Sequence, residues 1–300
     1  MVNDAFVIET TELRKQYDSV EALRGLTVQV PAGSIYGFLG RNGAGKTTTI
    51  KVLLGMAFAT GGSARVFGLP AGMPSASVDI RRRVGFVSDD KDLYGYLTVG
   101  EMIRFTASFF PRWQKDLEHR YLRAFELAAD RRVKTLSRGT RTKLALLLAL
   151  CRGAELLILD EPTAGLDPAM TEQVLQALVA HVAREATTVF FSSHQLAEVE
   201  QIADHVAILD HGRAVVAGGL DDLRGRYRRI QFVFEHDAPD VRFRTAGAGR
   251  LRRTGRVLTV MANGNADAIV AEARAVNPVS VDVQPVTLKD IFLETVAGEH

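Results

Sequence analysis

Apolar positions fall into unbroken runs, alternating stretches and helical stripes. Ile35–Leu39, Leu156–Leu159 and Thr188–Phe191 are short runs of the kind that form buried strands, and Leu156–Leu159 has the pattern of a parallel sheet covered on both faces. Val7–Leu13 and Leu26–Val30 alternate instead, predicting an antiparallel N-terminal β subdomain with the polar stretch Asp18–Arg24 as its turn. Val84–Val87 predicts a compact strand leading into the acidic loop Ser88-Asp89-Asp90-Lys91-Asp92, which is too polar to be core. Val206–Leu209 and Ala214–Val216 flank Asp210-His211-Gly212-Arg213, a hairpin turn.

Helical spacing is found over Thr49–Met56, Leu117–Ala128 and Arg141–Cys151. Asp167-Pro168 starts another helix, with Asp as N-cap and Pro at the first helical position, running to about Arg184. Thr98-Val99-Gly100-Glu101 has capping-box spacing and opens a helix through about Phe110, where Pro111 stops it. Trp113 lies between that helix and the next as a packing anchor, so residues 98–135 read as a helical insert. Beyond Leu223, the run Arg224–Arg229 reads as a basic linker, a solvated connector. Strands at Ile230–Phe234, Arg256–Met261 and Val279–Val283, with helices at Ala266–Val276 and Thr287–Val296, predict a small α+β domain.

Composition narrows the class. Three hundred residues, 47% hydrophobic and 24% charged, describe a globular protein with one large domain and a small one. A net charge of +2 gives no global field suited to nucleic acid or a membrane surface. The single cysteine, Cys151, excludes an internal disulfide and sits in an apolar run, as a packed core thiol does. Met1–Ile8 has no basic segment followed by an apolar one, and no apolar run reaches the roughly 18 residues a membrane span needs, so neither a leader nor direct membrane insertion is expected.

Chemistry concentrates at Gly40-Arg41-Asn42-Gly43-Ala44-Gly45-Lys46-Thr47-Thr48, which fits G-x-x-x-x-G-K-[ST] and lies between a strand and a helix. Glycines let successive N–H groups face one anion, the following helix adds its positive end, Lys46 suits β- and γ-phosphates, and Thr47 offers a hydroxyl to Mg²⁺. A dinucleotide fingerprint fails, because Thr48 occupies the place of its third glycine. Asp160-Glu161 ends a central strand, where α/β sheets bind ligands. Asp160 can hold Mg²⁺ through a water, and Glu161 can orient or deprotonate an attacking water. His194 follows Ser192-Ser193 at the same sheet edge. Ser137 reads locally as an ordinary helix cap, and Tyr17 as core packing.

In this order the motifs resemble the ATP-binding subunit of an ABC transporter, over roughly residues 6–223. The resemblance implies an α/β P-loop NTPase cassette with a mostly parallel core sheet, an antiparallel β subdomain and a helical subdomain at about 98–152. It implies domains at 1–223 and 230–300, joined by residues 224–229. Tyr17 then corresponds to the aromatic that stacks on adenine, Gly40–Thr48 to the Walker A loop, and Asp160 to the end of Walker B. Glu161 corresponds to the catalytic carboxylate, Asp167 to the D-loop and His194 to the switch histidine. Leu136-Ser137-Arg138-Gly139-Thr140 stands where the family has LSGGQ, making Ser137 and Gly139 ligands of a nucleotide on an opposite cassette. Arg138 and Thr140 depart from the pattern. So does Asp89, which replaces the usual Mg²⁺-touching glutamine; it can ligate Mg²⁺ but cannot donate a hydrogen bond when ionised.

The implied cofactors are ATP and Mg²⁺, and the implied partners a second cassette, alike or unlike, and transmembrane permease subunits on separate chains. Its place would be peripheral, on the cytoplasmic side of the cell membrane. The stretch Thr287–Leu293 resembles the ending of bacterial multidrug-type exporter cassettes. Two other readings stay open: a soluble ABC ATPase acting on ribosomes or DNA, and a regulatory cassette with weak hydrolysis. The single cassette, the lack of a long heptad insertion and the retention of Glu161 and His194 count against them.

Overall fold

In the computed structural model, residues 5–296 are described. Strands β1 (Phe6–Tyr17) and β2 (Val20–Pro31) are followed by β3 (Ile35–Gly40), α1 (Lys46–Leu53), β4 (Gly61–Val66), β5 (Leu69–Pro70), α2 (Pro74–Arg83) and β6 (Val84–Val87). Helices α3 (Val99–Ala107), α4 (Lys115–Ala124) and α5 (Arg138–Leu150) separate β6 from β7 (Leu156–Asp160). Then come α6 (Pro168–Glu185), β8 (Thr188–Ser193), α7 (Leu196–Ile202), β9 (His205–Asp210) and β10 (Arg213–Gly219). A first compact unit ends at Ala217 and a second begins at Gly218.

The first unit holds a six-stranded sheet in the order β10-β9-β3-β8-β7-β6. Strands β9, β3, β8, β7 and β6 run parallel, and every residue of β3, β7 and β8 is buried, as their unbroken apolar patterns require. The pairings Val87↔Leu159, Asp160↔Ser192, Leu39↔Ser193 and Gly40↔Leu209 bring the C-terminal ends of these strands to one edge. A second sheet, β2-β1-β4-β5, is antiparallel and shares an apolar core with the first. The class expected from the sequence, a mostly parallel α/β core with an antiparallel β subdomain and a helical insert, is the one observed.

Several boundaries differ. The turn expected over Asp18–Arg24 shrinks to Asp18-Ser19, because Tyr17 already pairs with Val20 and Leu23 is fully buried among the strands. Helix α1 starts at Lys46, since the glycine loop delivers the chain directly into it. Helix α3 carries the expected capping box, Thr98 Oγ1 accepting from the Glu101 amide at 3.2 Å, but stops at Ala107, before Pro111. Helix α5 begins at Arg138, one residue after its Ser137 cap.

Helices α4 and α6 meet through Tyr121 and His181, whose hydroxyl and Nδ1 lie 3.4 Å apart in a buried pocket. Burial holds the His181 imidazole down to about 4, against the opposing pull of Glu185. The folded state therefore keeps this ring neutral. Between about pH 6.5 and about pH 4 the unfolded chain takes up a proton that the folded chain resists, so stability falls as pH falls, by up to about 3 kcal/mol. A His181→Leu variant is expected to lose less stability over this window, as urea titrations at neutral and acid pH will show; an unaltered slope would contradict it.

The second unit contains α8 (Leu220–Arg226), β11 (Tyr227–Val233), β12 (Ala248–Thr254), β13 (Val257–Asn263), α9 (Ala266–Ala273), β14 (Ser280–Pro285) and α10 (Leu288–Val296). Its sheet runs β12-β13-β11-β14, and one cluster joins Ile230, Phe232, Val260 and Ile269. The expected small α+β domain is present, but residues 224–229 are not a linker. They end α8 and begin β11, where Tyr227 and Ile230 are buried and the Arg228 guanidinium bonds the carbonyls of Arg224 and Tyr227. Arg229 is ion-paired with Asp290. Strand β12 was not expected, because Ala248–Thr254 is an arginine-rich edge strand with little apolar alternation.

Candidate functional site

The loop between β3 and α1 wraps a cavity of about 200 Å³ lined by Ala22, Arg41, Asn42, Gly43, Gly45, Lys46, Thr47, Thr48, Asp89 and Glu161. Gly45 has φ 111°, and a Cβ there would lie 2.8 Å from the Ala22 carbonyl oxygen, so this position admits only glycine. Lys46 is buried; its Nζ donates to the Gly40 carbonyl at 2.8 Å and lies 3.3 Å from Glu161 Oε1. A larger cleft of about 1070 Å³ lies by Gly33, Glu155 and Thr188, at the opposite ends of these strands. Chemistry rather than size therefore selects the glycine loop, at the carboxyl edge where open α/β sheets bind ligands.

The end of β7, one strand beyond β8, supplies the acids. Thr47 Oγ1 donates to Asp160 Oδ2 at 2.9 Å, and Ser192 Oγ donates to Asp160 Oδ1 at 2.6 Å. Ser192 also accepts from the Glu161 amide at 3.1 Å. His194 Nδ1 lies 2.8 Å from Glu161 Oε2. Glu161 has φ 48°, a strained left-handed conformation for a side-chain-bearing residue, and the surrounding bonds hold it there.

The loop after β6 is the principal surprise. The run Ser88–Asp92, expected to be too polar for the core, nevertheless sends Lys91 inward to 4% exposure. Its Nζ donates to the carbonyls of Asp89 at 3.0 Å and Glu161 at 3.1 Å. Burial holds this amine below its ordinary range and the Arg138 charge lowers it further, while Asp89, Asp160 and Glu161 oppose the shift. Asp89 lines the cavity. Behind the site, Thr163 and Ser193 hydroxyls donate to Glu198 Oε2. Burial nevertheless raises the Glu198 carboxyl above the usual range. Lys91, Ser192 and Glu198 escaped the sequence reading; the only local sign was a lysine among aspartates and a serine pair before His194.

Other expected residues stand apart from the cavity. Tyr17 is half-exposed at the end of β1, with the Lys15 ammonium 4.5 Å from its ring centre. Ser137 caps α5 by accepting from the Thr140 amide at 3.1 Å. Gly139 is buried against α6, where a Cβ would come within 2.4 Å of Met170 Sδ. Asp167 caps α6, accepting from the Met170 amide at 2.9 Å. None of these four lines the glycine-loop cavity of its own chain.

Strand, glycine loop, helix and an acid at the end of β7, two strands away in the same sheet, define the P-loop nucleotide-binding class. The comparisons then specify the family. A family model described as ABC transporter matches residues 23–164. The bacitracin transport ATP-binding protein BcrA of Bacillus licheniformis is 38% identical over 226 residues, covering 74% of this chain and 73% of that protein. The daunorubicin/doxorubicin resistance ATP-binding protein DrrA of Streptomyces peucetius is 38% identical over 223 residues, covering 72% of this chain and 66% of that one. A solved ATP-binding subunit of an ABC transporter superposes with a TM-score of 0.66 at 29% identity, covering 73% of this chain and 92% of the other. The chain belongs to the ABC transporter family, as an ATP-binding subunit.

Proposed function

We propose that this subunit binds ATP with Mg²⁺ in the glycine-loop cavity, hydrolyses it to ADP and phosphate, and so powers an exporter through separate permease chains. The observation that carries the reading is the clamp on Glu161, whose two carboxylate oxygens face Lys46 and His194 beside the phosphate loop. The residues fit Mg²⁺: Thr47 and Asp160 present adjacent hard oxygen donors with Asp89 on the cavity wall. Among the described residues no cluster of His, Cys, Asp and Glu forms an all-protein cage, in keeping with an ion shared with substrate phosphates. When bound, the ion would neutralise phosphate charge.

The chain's own groups do the rest. Backbone amides of Gly43–Thr48 and the Lys46 ammonium hold the phosphates and stabilise charge that develops on the transferred group. Glu161 orients a water in line and accepts its proton, and His194 steadies the carboxylate. The phosphates sit against the glycine loop and Lys46 inside the cavity, and the base lies toward Tyr17, which offers the ring face that Lys15 leaves free. Ser137, Gly139 and Asp167 lie outside the cavity because they serve the nucleotide of a second cassette, alike or unlike, across an ATP-closed dimer.

Among the described residues no helix is long and apolar enough to cross a membrane. The peripheral, cytoplasmic position then comes from the permease subunits. Export is supported by the relative named for drug resistance and by the exporter-like stretch Thr287–Leu293. No nucleic-acid partner is needed.

Asp89 in place of a neutral donor makes turnover slow without the partner. Phosphate release by the isolated chain is expected to stay below the common enzyme range of about 1–10³ s⁻¹ and to rise when permease subunits co-purify. Light scattering should show a dimer only with ATP. Fast turnover by the isolated chain would contradict the slow-site expectation, and failure to bind ATP would end the whole reading.

A further inference from the structure

Lys91 is an ammonium buried in a loop that otherwise holds one serine and three aspartates, and apolar burial does not explain it. An uncharged side chain of similar length would fill the space without the desolvation cost. Both of its short hydrogen bonds go to main-chain carbonyls bordering the cavity. One belongs to Asp89, on the loop after β6, and the other to Glu161 itself. Its distance to Asp89 Oδ1 is 3.8 Å. Arg138, at the first residue of α5, is close enough to act on the same charge. Two segments distant in sequence, the loop after β6 and the turn after β7, thus meet at one nitrogen. Lys91 does not line the cavity.

We propose that Lys91 is a positioning residue for hydrolysis: its ammonium ties the Asp89 loop to the Glu161 peptide and keeps that peptide in the left-handed conformation that aims the carboxylate at the cavity. This rests on Glu161 acting as the base. The Glu161 amide is held by Ser192, and its carbonyl by Lys91 at 3.1 Å and by the Ala164 amide of the following turn at 3.2 Å, so the residue is fixed from both sides of its strained Cα. Without Lys91 that carbonyl keeps only the Ala164 amide of its own turn and loses its tie to the Asp89 loop, so the turn can relax and swing the carboxylate away from Lys46 and His194. A shift on the order of 1 Å at a reacting group can cost about 10²-fold in rate. ATP affinity depends on the glycine loop and Lys46, which Lys91 does not contact.

The test compares the full chain with its Lys91→Met, Lys91→Arg and Glu161→Gln variants, measuring phosphate release, affinity for a fluorescent ATP analogue and thermal midpoint. Lys91→Met is expected to lower kcat roughly tenfold or more with affinity within about threefold, and Lys91→Arg, which keeps a cationic donor, to recover most of the turnover. A Lys91→Met chain with native kcat overturns the proposal. So does a parallel loss of kcat, affinity and thermal midpoint that arginine does not rescue, which is the signature of a packing role. Native turnover that persists in Glu161→Gln rejects the base assignment instead, and no turnover in the native chain rejects hydrolysis; in both cases Lys91 has nothing to position and the proposal falls too.

Discussion

Replacing Glu161 by Gln is expected to slow ATP turnover on the order of 10²-fold or more while leaving ATP affinity within a few-fold, the usual scale for losing a general base. Glutamine has the same shape, so contacts at Oε1 with Lys46, 3.3 Å away, and at Oε2 with His194, 2.8 Å away, can be partly kept. What goes is the ability to take a proton from water. A loss confined to kcat means the interaction is made in the transition state. Phosphate-release kinetics and analogue titration on the same preparation check it, and unchanged turnover would remove Glu161 from the mechanism. An ATP-bound dimer of the variant should also outlive that of the native chain, since closure precedes hydrolysis in the proposed cycle.

Lys46→Met is expected to act differently, weakening ATP binding by about 10- to 10²-fold and turnover by more. Charge-assisted hydrogen bonds contribute about 1.5–3 kcal/mol, and this ammonium is one of two cations lining the cavity, the other being Arg41. Phosphate charge grows toward the leaving and transferred groups during reaction, so the loss is larger in kcat/KM than in affinity. The variant also leaves the Gly40 carbonyl and Glu161 Oε1 without their cation, and circular dichroism will establish that the chain remains folded. Affinity equal to that of the native chain would show that phosphates are held elsewhere.

The two variants separate what a short stretch can specify from what it cannot. Gly40–Thr48 was legible because its constraints are local: a strand end, a φ of 111° at Gly45 and a helix start follow one another within the loop. The buried runs at β3, β7 and β8 were legible for the same reason, since an unbroken apolar segment has few places to go. Caps at Thr98, Ser137 and Asp167 were also readable, each satisfying an amide three residues along.

Contacts between distant segments carried the rest. Thr47 meets Asp160 across 113 positions, and Lys91 meets Glu161 across 70, distances at which no periodicity operates. Polar composition marked Ser88–Asp92 as a loop outside the core, yet the carbonyls of Asp89 and Glu161 supply what a buried ammonium needs, so Lys91 turns inward. Arginines at 224–229 looked like a connector because their charge hides the first residues of β11, which starts at Tyr227 rather than Ile230 once β13 and β14 lie alongside. Local pattern was enough for the elements and the phosphate loop because backbone conformation responds to near neighbours. The acid–base cluster around Glu161 exists only after the parallel strands align their ends, because hydrogen-bond partners are chosen by distance in space and not along the chain.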